Sequence, residues 1–234
     1  MTLTLITGAT AGLGRALAVA LEVAGHDLIL TGRDPVRLAA LRRALPGATV
    51  VPGDVTDPAH RAALVTAVGD RPLDLLVHNA SELGPSPMVP LAGLGVERFR
   101  AILEANVVAP LALTADLLPA LRRATAPSLL AISSDAAVEH YETWAGYAAS
   151  KAALDQLAGT WAAEEPTLRA YAVDPGDMRT AMHQAAFPGE DISDRPLPEQ
   201  VAVPGILGLL ESRPPSGRYR ASELAGSHRT EVTA

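Results

Sequence analysis

The sequence predicts an α/β fold, a doubly wound parallel β-sheet flanked by helices in three α/β/α layers. Three observations predict it. Short β-like runs alternate with longer helical patterns from the first residues onward. Those runs are continuously apolar rather than alternating, which marks strands buried on both faces, as in a parallel sheet. A glycine-rich turn joins the first run to the first helical pattern.

The elements follow in order. "LTLIT" (3–7) is the first strand and an Ala/Leu-rich helix covers 12–24. "DLILT" (27–31) leads to a helix opening at Asp34 and Pro35, the residue pair of an N-cap and first helical turn. "ATVVP" (48–52) precedes a helix in 57–69, and "LDLLVHN" (73–79) precedes a loop and helices in 95–123. "PSLLAISS" (127–134) leads to a helix in 145–164, and "LRAYAVD" (168–174) closes the series of buried strands. Residues 182–200, rich in Pro, Gly and acidic side chains, break the rhythm and read as a mobile substrate loop. A helix in 199–211 and a short strand near "GRYRA" finish the fold, and the polar tail 226–234 is expected to fray. The length, 234 residues, fits one domain spanning 1–234.

Composition narrows the function. Apolar residues make up 48% of the chain but aromatics only 3%, so Ala, Leu and Val must build the core. There is no cysteine, which excludes disulfides, thiolate catalysis and cysteine-ligated metal and suits a cytoplasmic protein. No stretch approaches 18 consecutive apolar residues, so no membrane span is expected, and the N-terminus lacks the features of a secretory signal. A net charge of −7 without a strong basic cluster argues against nucleic acid or an anionic membrane as partner. The histidines, at 26, 60, 78, 140, 183 and 228, show no metal-ligand spacing, so no metal site is expected. No Gly-x-Ser-x-Gly elbow supports a serine hydrolase.

Rare residues carry more information. The chain has one lysine, Lys151, against 18 arginines, and two asparagines, Asn79 and Asn106. In "LITGATAGLGRAL" glycines stand at Gly8, Gly12 and Gly14, where they let the backbone turn tightly toward a pyrophosphate seated on a helix N-terminus. The spacing is Gly-x-x-x-Gly-x-Gly rather than the general dinucleotide fingerprint.

With that turn, "HNAS" (78–81), "LEANVVAPLALT", "AISS", "YAASK" and "DPGDMRT", the chain resembles the short-chain dehydrogenase/reductase family, in its single-domain, Rossmann-fold branch. The resemblance covers nearly the whole chain, and the lysine and both asparagines fall on motif positions. It implies an oxidoreductase that moves a hydride between a nicotinamide cofactor and a carbonyl or secondary alcohol. It also implies cofactor contacts from Gly8, Thr10, Gly12, Leu13 and Gly14, with Thr7 in the motif beside them. Asp54 and Val55 would meet the adenine, and Asn79, Ala80, Pro175, Gly176 and Thr180 would complete the cofactor site, with Thr180 on the carboxamide. A homodimer or homotetramer is implied as well.

The catalytic set implied is Asn106, Ser134, Tyr147 and Lys151. Tyr147 and Lys151 lie four apart, on one face of a helix. Tyr147 is the general acid/base; a free phenol, with a pKa of about 10, is a poor base at neutral pH. An ammonium nearby and the positive nicotinamide are expected to lower it, supplying about 4 kcal/mol. Lys151 would also bond the nicotinamide ribose, which arginine's planar fork cannot do in the same way. The family's spacing from serine to tyrosine selects Ser134 over Ser133, to hydrogen-bond the substrate oxygen, and Ser133 is expected to face away. Asn106 would hold a water that relays protons through Lys151, or make a helix-interrupting hydrogen bond to backbone, or both.

At the end of the second strand Gly32 stands where an NAD-binding acid is expected, and Arg33 follows, suited to a 2′-phosphate. Asp34 reads as the helix cap, so NADP(H) is favoured over NAD(H). Ala11 is the reservation, because many NADP-dependent members carry a basic residue there. His78 and Ser81 depart from the family's Asn-Asn-Ala-Gly. Asp135, Glu139, His140, Glu142 and Trp144 form an acidic flank with one flat apolar face, read as a solvated loop or as the wall for a polar or cationic substrate. The favoured reading is an NADPH-dependent carbonyl reductase acting on a small molecule. The rivals are an idle nucleotide-binding sensor or scaffold on the same fold and, more remotely, a sugar-nucleotide epimerase.

Overall fold

The computed structural model describes residues 2–224, so the tail 226–234 lies outside the described residues. Seven strands form one parallel sheet in the order β3-β2-β1-β4-β5-β6-β7. They are β1 (Leu3–Ile6), β2 (Asp27–Gly32), β3 (Thr49–Pro52), β4 (Leu75–His78), β5 (Ser128–Ile132), β6 (Arg169–Asp174) and β7 (Gly217–Arg220). The helices are α1 (Gly12–Val23), α2 (Pro35–Ala44), α3 (Pro58–Val68), α4 (Val96–Leu103), α5 (Ala109–Arg123), α6 (Ala145–Glu164), α7 (Ala181–Ala186), α8 (Ala202–Ser212) and α9 (Ala221–Leu224). The strand order reverses between β1 and β4, and this switch point is where open α/β sheets leave a crevice beyond the carboxyl ends of their strands.

The continuous apolar runs are explained by two cores. Ile6, Leu28, Leu30, Val77, Leu130, Tyr171 and Val173 face one way, against Leu17 and Leu21 of α1 and Ile206 and Leu209 of α8. Leu5, Ile29, Leu76, Leu129, Ala131 and Ala172 face the other, against Leu64 of α3, Leu117 of α5 and Leu154 of α6. Successive strand residues thus enter opposite cores, and neither face can carry a polar alternation.

Local chemistry sets the helix starts. The Asp34 carboxylate accepts from the N–H groups of Val36 and Arg37, at 2.9 and 3.1 Å, with Pro35 in the first turn. Asp57 and Pro58 repeat the device at α3, where Asp57 accepts from the Ala59 N–H. The run 96–123 is long and apolar enough to cross a membrane by length and composition, yet Ile102, Leu113, Leu117 and Leu121 from it are buried in the protein. It is interrupted at Glu104–Val108 by a π turn, in which the Ala109 N–H reaches back to the Glu104 carbonyl. Pro110 lies next and has no N–H, so Asn106 loses the donor its carbonyl would meet in a regular α-helix. Part of the expected loop at 182–200 is helical, as α7, and the rest is irregular.

Candidate active site

A cavity of about 410 Å³ opens along the carboxyl ends of the strands. Its walls include the glycine turn after β1, the ends of β2, β4, β5 and β6, and the start of α7.

The glycine turn is a backbone construction. Gly8 and Gly12 have φ of 65° and 50°, the left-handed region that other residues enter only at a cost. A Cβ at Gly8 would lie 2.8 Å from Ala80 Cα. Ala11, the N-cap of α1, makes no side-chain cap, so no side chain there takes up the first-turn N–H groups that could receive a phosphate. The turn is tied to β4 by side chains. The Thr7 hydroxyl donates to the Val77 carbonyl and accepts from the N–H groups of Asn79 and Ala80. The Asn79 amide donates to the carbonyls of Thr7 and Gly8, at 2.9 and 3.0 Å.

Most of the residues expected to hold a cofactor do line this cavity: Gly8, Thr10, Gly12 and Leu13 near the turn, and Arg33, Asp54 and Val55 beyond β2 and β3. Asn79, Ala80, Pro175, Gly176 and Thr180 line it as well. Gly14 is not among the residues that line the cavity. It packs underneath, where a Cβ would come within 2.3 Å of Asn79 Nδ2 and 2.4 Å of the Gly8 carbonyl. The sequence reading missed Arg37, which also lines the cavity and pairs with Asp34 at 3.3 Å. Its signal was available, since it lies one turn into α2 from the capping aspartate.

At the end of β2 a side chain in place of Gly32 would meet Thr10. A Cβ at Gly32 would fall 2.5 Å from Thr10 Cγ2, so the methyl of Thr10 fills the space. Arg33 stands 68% exposed and pairs with Asp54 at 3.4 Å. Burial pushes the Asp54 carboxyl up, but hydrogen bonds from Thr56 and the Arg33 charge together hold it below its ordinary value.

Ser134, Tyr147 and Lys151 all line the cavity. Tyr147 and Lys151 are nearly fully buried, and the Lys151 ammonium lies 5.4 Å from the Tyr147 ring centroid. Lys151 Nζ donates to the Ile132 carbonyl at 2.6 Å. Burial brings the Lys151 ammonium down to about 8, with Asp155 opposing the fall. Burial also pushes the Tyr147 phenol well above its ordinary value, the Ser81 hydroxyl offsets only part of this, and Asp135 and Asp174 push it further up. Without the nicotinamide, the protein alone does not lower the phenol. The low-dielectric wall that houses Tyr147 disfavours phenolate more than the Ser81 hydrogen bond favours it.

The Ser134 hydroxyl donates to Asp135 Oδ1 at 2.9 Å and accepts from the Ala136 N–H. Ser133 points elsewhere, donating to Asp155 Oδ2 at 2.8 Å. Asn106 sits behind the wall, 1% exposed, with its side chain saturated. Its Oδ1 accepts from the Ser81 hydroxyl and the Glu82 N–H, and its Nδ2 donates to the Glu82 carbonyl and to Ser150 Oγ. Of the two expectations for Asn106, the backbone-bonding one describes its side chain. His78 is neutral and buried, hydrogen-bonded to Thr114, and burial brings it down to about 3. Trp144 packs edge-on against Tyr141 and Tyr147 and leans on Phe187, forming an aromatic wall beside the phenol. Asp135 accepts a hydrogen bond from the Tyr141 hydroxyl, and Glu82 and Asp177 also line the cavity at this end. Among the described residues no cluster of acidic and histidine side chains could hold a metal ion.

A family model described as short chain dehydrogenase matches residues 2–191. The chain is 31% identical over 216 residues to the uncharacterised oxidoreductase YciK of Escherichia coli K12, covering 88% of this chain and 84% of the relative. A short chain dehydrogenase from Pseudomonas syringae superposes with a TM-score of 0.87 at 31% identity, over 94% of each chain. Another, from Escherichia coli CFT073 and solved with NADPH, gives 0.86 at 30% identity, over 94% of this chain and 96% of that one.

Proposed function

This chain belongs to the short chain dehydrogenase family of oxidoreductases, and from that premise we propose that it is an NADPH-dependent reductase of a small carbonyl compound. The observation that carries the reading is the convergence of Ser134, Tyr147 and Lys151 on the cavity that the glycine turn also walls. When bound, NADPH supplies the hydride. The first turn of α1 and the glycine backbone would hold its pyrophosphate, and Lys151 its nicotinamide ribose. Arg33 and Arg37 would hold the 2′-phosphate, in a site where the methyl of Thr10 occupies the place of an NAD-binding acid.

Tyr147 delivers the proton to the carbonyl oxygen. Its raised proton affinity keeps it in the acid form through the neutral range, the form that reduction requires. Ser134 hydrogen-bonds the same oxygen as charge develops on it, after turning its hydroxyl away from Asp135. The Asn106 carbonyl, which lacks its regular helical donor because Pro110 has no N–H, would hold a relay water behind the wall. Glu82, Asp135 and Asp177 beside the aromatic wall favour a neutral or cationic substrate with a flat apolar part over a carboxylate or phosphate.

The rival is an idle nucleotide-binding scaffold on the same fold. A fluorescence titration with NADPH and, in parallel, NADH separates the readings. The proposal expects NADPH to bind at least about tenfold tighter, equivalent to about 1.4 kcal/mol. Preference for NADH would overturn the role of Arg33, and binding of neither would give the scaffold reading the lead.

A further inference from the structure

Behind the catalytic wall lies a second charged layer that the family motifs do not mention. Lys151 and Asp155 are one turn apart on α6 and dock on consecutive residues at the end of β5. Lys151 Nζ donates to the Ile132 carbonyl at 2.6 Å, and the Asp155 carboxylate accepts from the Ser133 hydroxyl at 2.8 Å. The same Asp155 oxygen accepts from Arg218 Nε of β7 at 3.1 Å, while the other, Oδ1, is buried without a hydrogen-bond partner. Arg218 also donates to the Ser134 carbonyl at 2.7 Å, so one guanidinium clamps the Asp155 carboxylate and the backbone of the proposed substrate-binding serine. A half-buried carboxylate with an unpaired oxygen, one helical turn from a buried ammonium, has one evident use.

We propose that Asp155 is a positioning residue of this site: held by Ser133 and Arg218, its carboxylate keeps Lys151 protonated and seated on the Ile132 carbonyl. The other charged or titratable groups facing Lys151 do not duplicate this. Tyr147, on the same helix, is held in its neutral form by burial, and His78, at the end of β4, is neutral above about 3. Asp174, at the end of β6, is shared between Arg218 at 3.7 Å and Arg220 at 3.9 Å. Burial leaves the Asp155 carboxyl above its ordinary value, with Ser133, Arg218 and Lys151 each offsetting part of the rise, and the Asp155 charge in turn opposes the burial that brings Lys151 down. The inference rests on the proposed function only for its catalytic consequence.

The sole lysine makes the test direct, because protein labelled with ¹⁵N-lysine carries a single Nζ to titrate. Asp155→Asn is expected to lower the Lys151 midpoint by about one pH unit. Arg218→Gln, which removes the opposing cation, is expected to raise it and serves if the first variant does not fold. The alkaline limb of kcat/KM with NADPH should move with the midpoint, while a melting temperature alone would not distinguish a structural role. A midpoint unmoved by Asp155→Asn, or lowered by Arg218→Gln, overturns the coupling. A midpoint that moves while the kinetic limb stays in place overturns the positioning role and, separately, the assignment of Lys151 to the reaction.

Discussion

The glycine turn after β1 and the wall formed by β5 and α6 face one cavity but are built from opposite materials. The turn is backbone made, its shape set by absent side chains at Gly8, Gly12 and Gly14 and secured by Thr7 and Asn79. The wall is made of buried polar side chains, with Tyr147 and Lys151 removed from water and Ser133, Asp155 and Arg218 packed behind them. Close packing stabilises the turn. Burial of charge strains the wall, since the folded protein lowers the proton affinity of Lys151 below that of a free lysine. The comparison teaches where each region should be sensitive: changes in the turn cost folding and binding together, and changes at Tyr147 in the wall cost chemistry first.

The largest effect expected is from Tyr147→Phe, which should cut turnover by about 10²- to 10⁴-fold while leaving NADPH affinity and melting temperature near wild type. A large fall in melting temperature would break the contrast by making the wall structural. Next comes Gly14→Ala, whose new Cβ would collide with Asn79 and with the Gly8 carbonyl. Thermal denaturation should show a loss of about 1–3 kcal/mol, with weaker NADPH binding beside it. An unchanged melting curve would mean that the turn is not close packed.

Lys151→Met sharpens the comparison through its sign. The folded midpoint, about 8, lies below that of the unfolded lysine, so the unfolded chain binds more protons between the two values. The cost of burying the ammonium is therefore present in full below about pH 8 and is relieved as pH rises toward the unfolded value. At pH 7 the methionine variant should melt no lower than wild type while losing turnover. In the wild type, kcat/KM for reduction should fall as pH rises through about 8, because the free protein then loses the ammonium. The smallest effect is expected from Arg33→Ala, about a tenfold loss of NADPH affinity with NADH unaffected, since Arg33 is exposed and already paired with Asp54.

The materials also explain what the sequence could disclose. Strands buried on both faces announce themselves as apolar runs, and β1, β2, β4, β5 and β6 lie where those runs do, while β3, at the sheet edge, matches its run with both end residues exposed. Helix α6 begins and ends where the pattern at 145–164 predicts. Glycine spacing and the isolation of Lys151 and Asn79 in an arginine-rich chain pointed to residues that line the cavity, and the isolation of Asn106 to one buried just behind it. The π turn at Glu104–Val108 left only a partial trace, the proline at 110. The contact of Arg218 with Asp155 spans 63 residues, and no local pattern encodes it. The raised proton affinity of Tyr147 escaped for the same reason, because it depends on burial rather than on the neighbour four residues along.

The most direct test of the central claim is transfer of deuterium from NADPH labelled at the reactive carbon of the nicotinamide to a neutral aromatic diketone. The label should appear at the new carbinol carbon with the wild-type protein and be nearly absent with Tyr147→Phe. Tight NADPH binding without any transfer from wild type, or equal transfer by both proteins, would contradict the account.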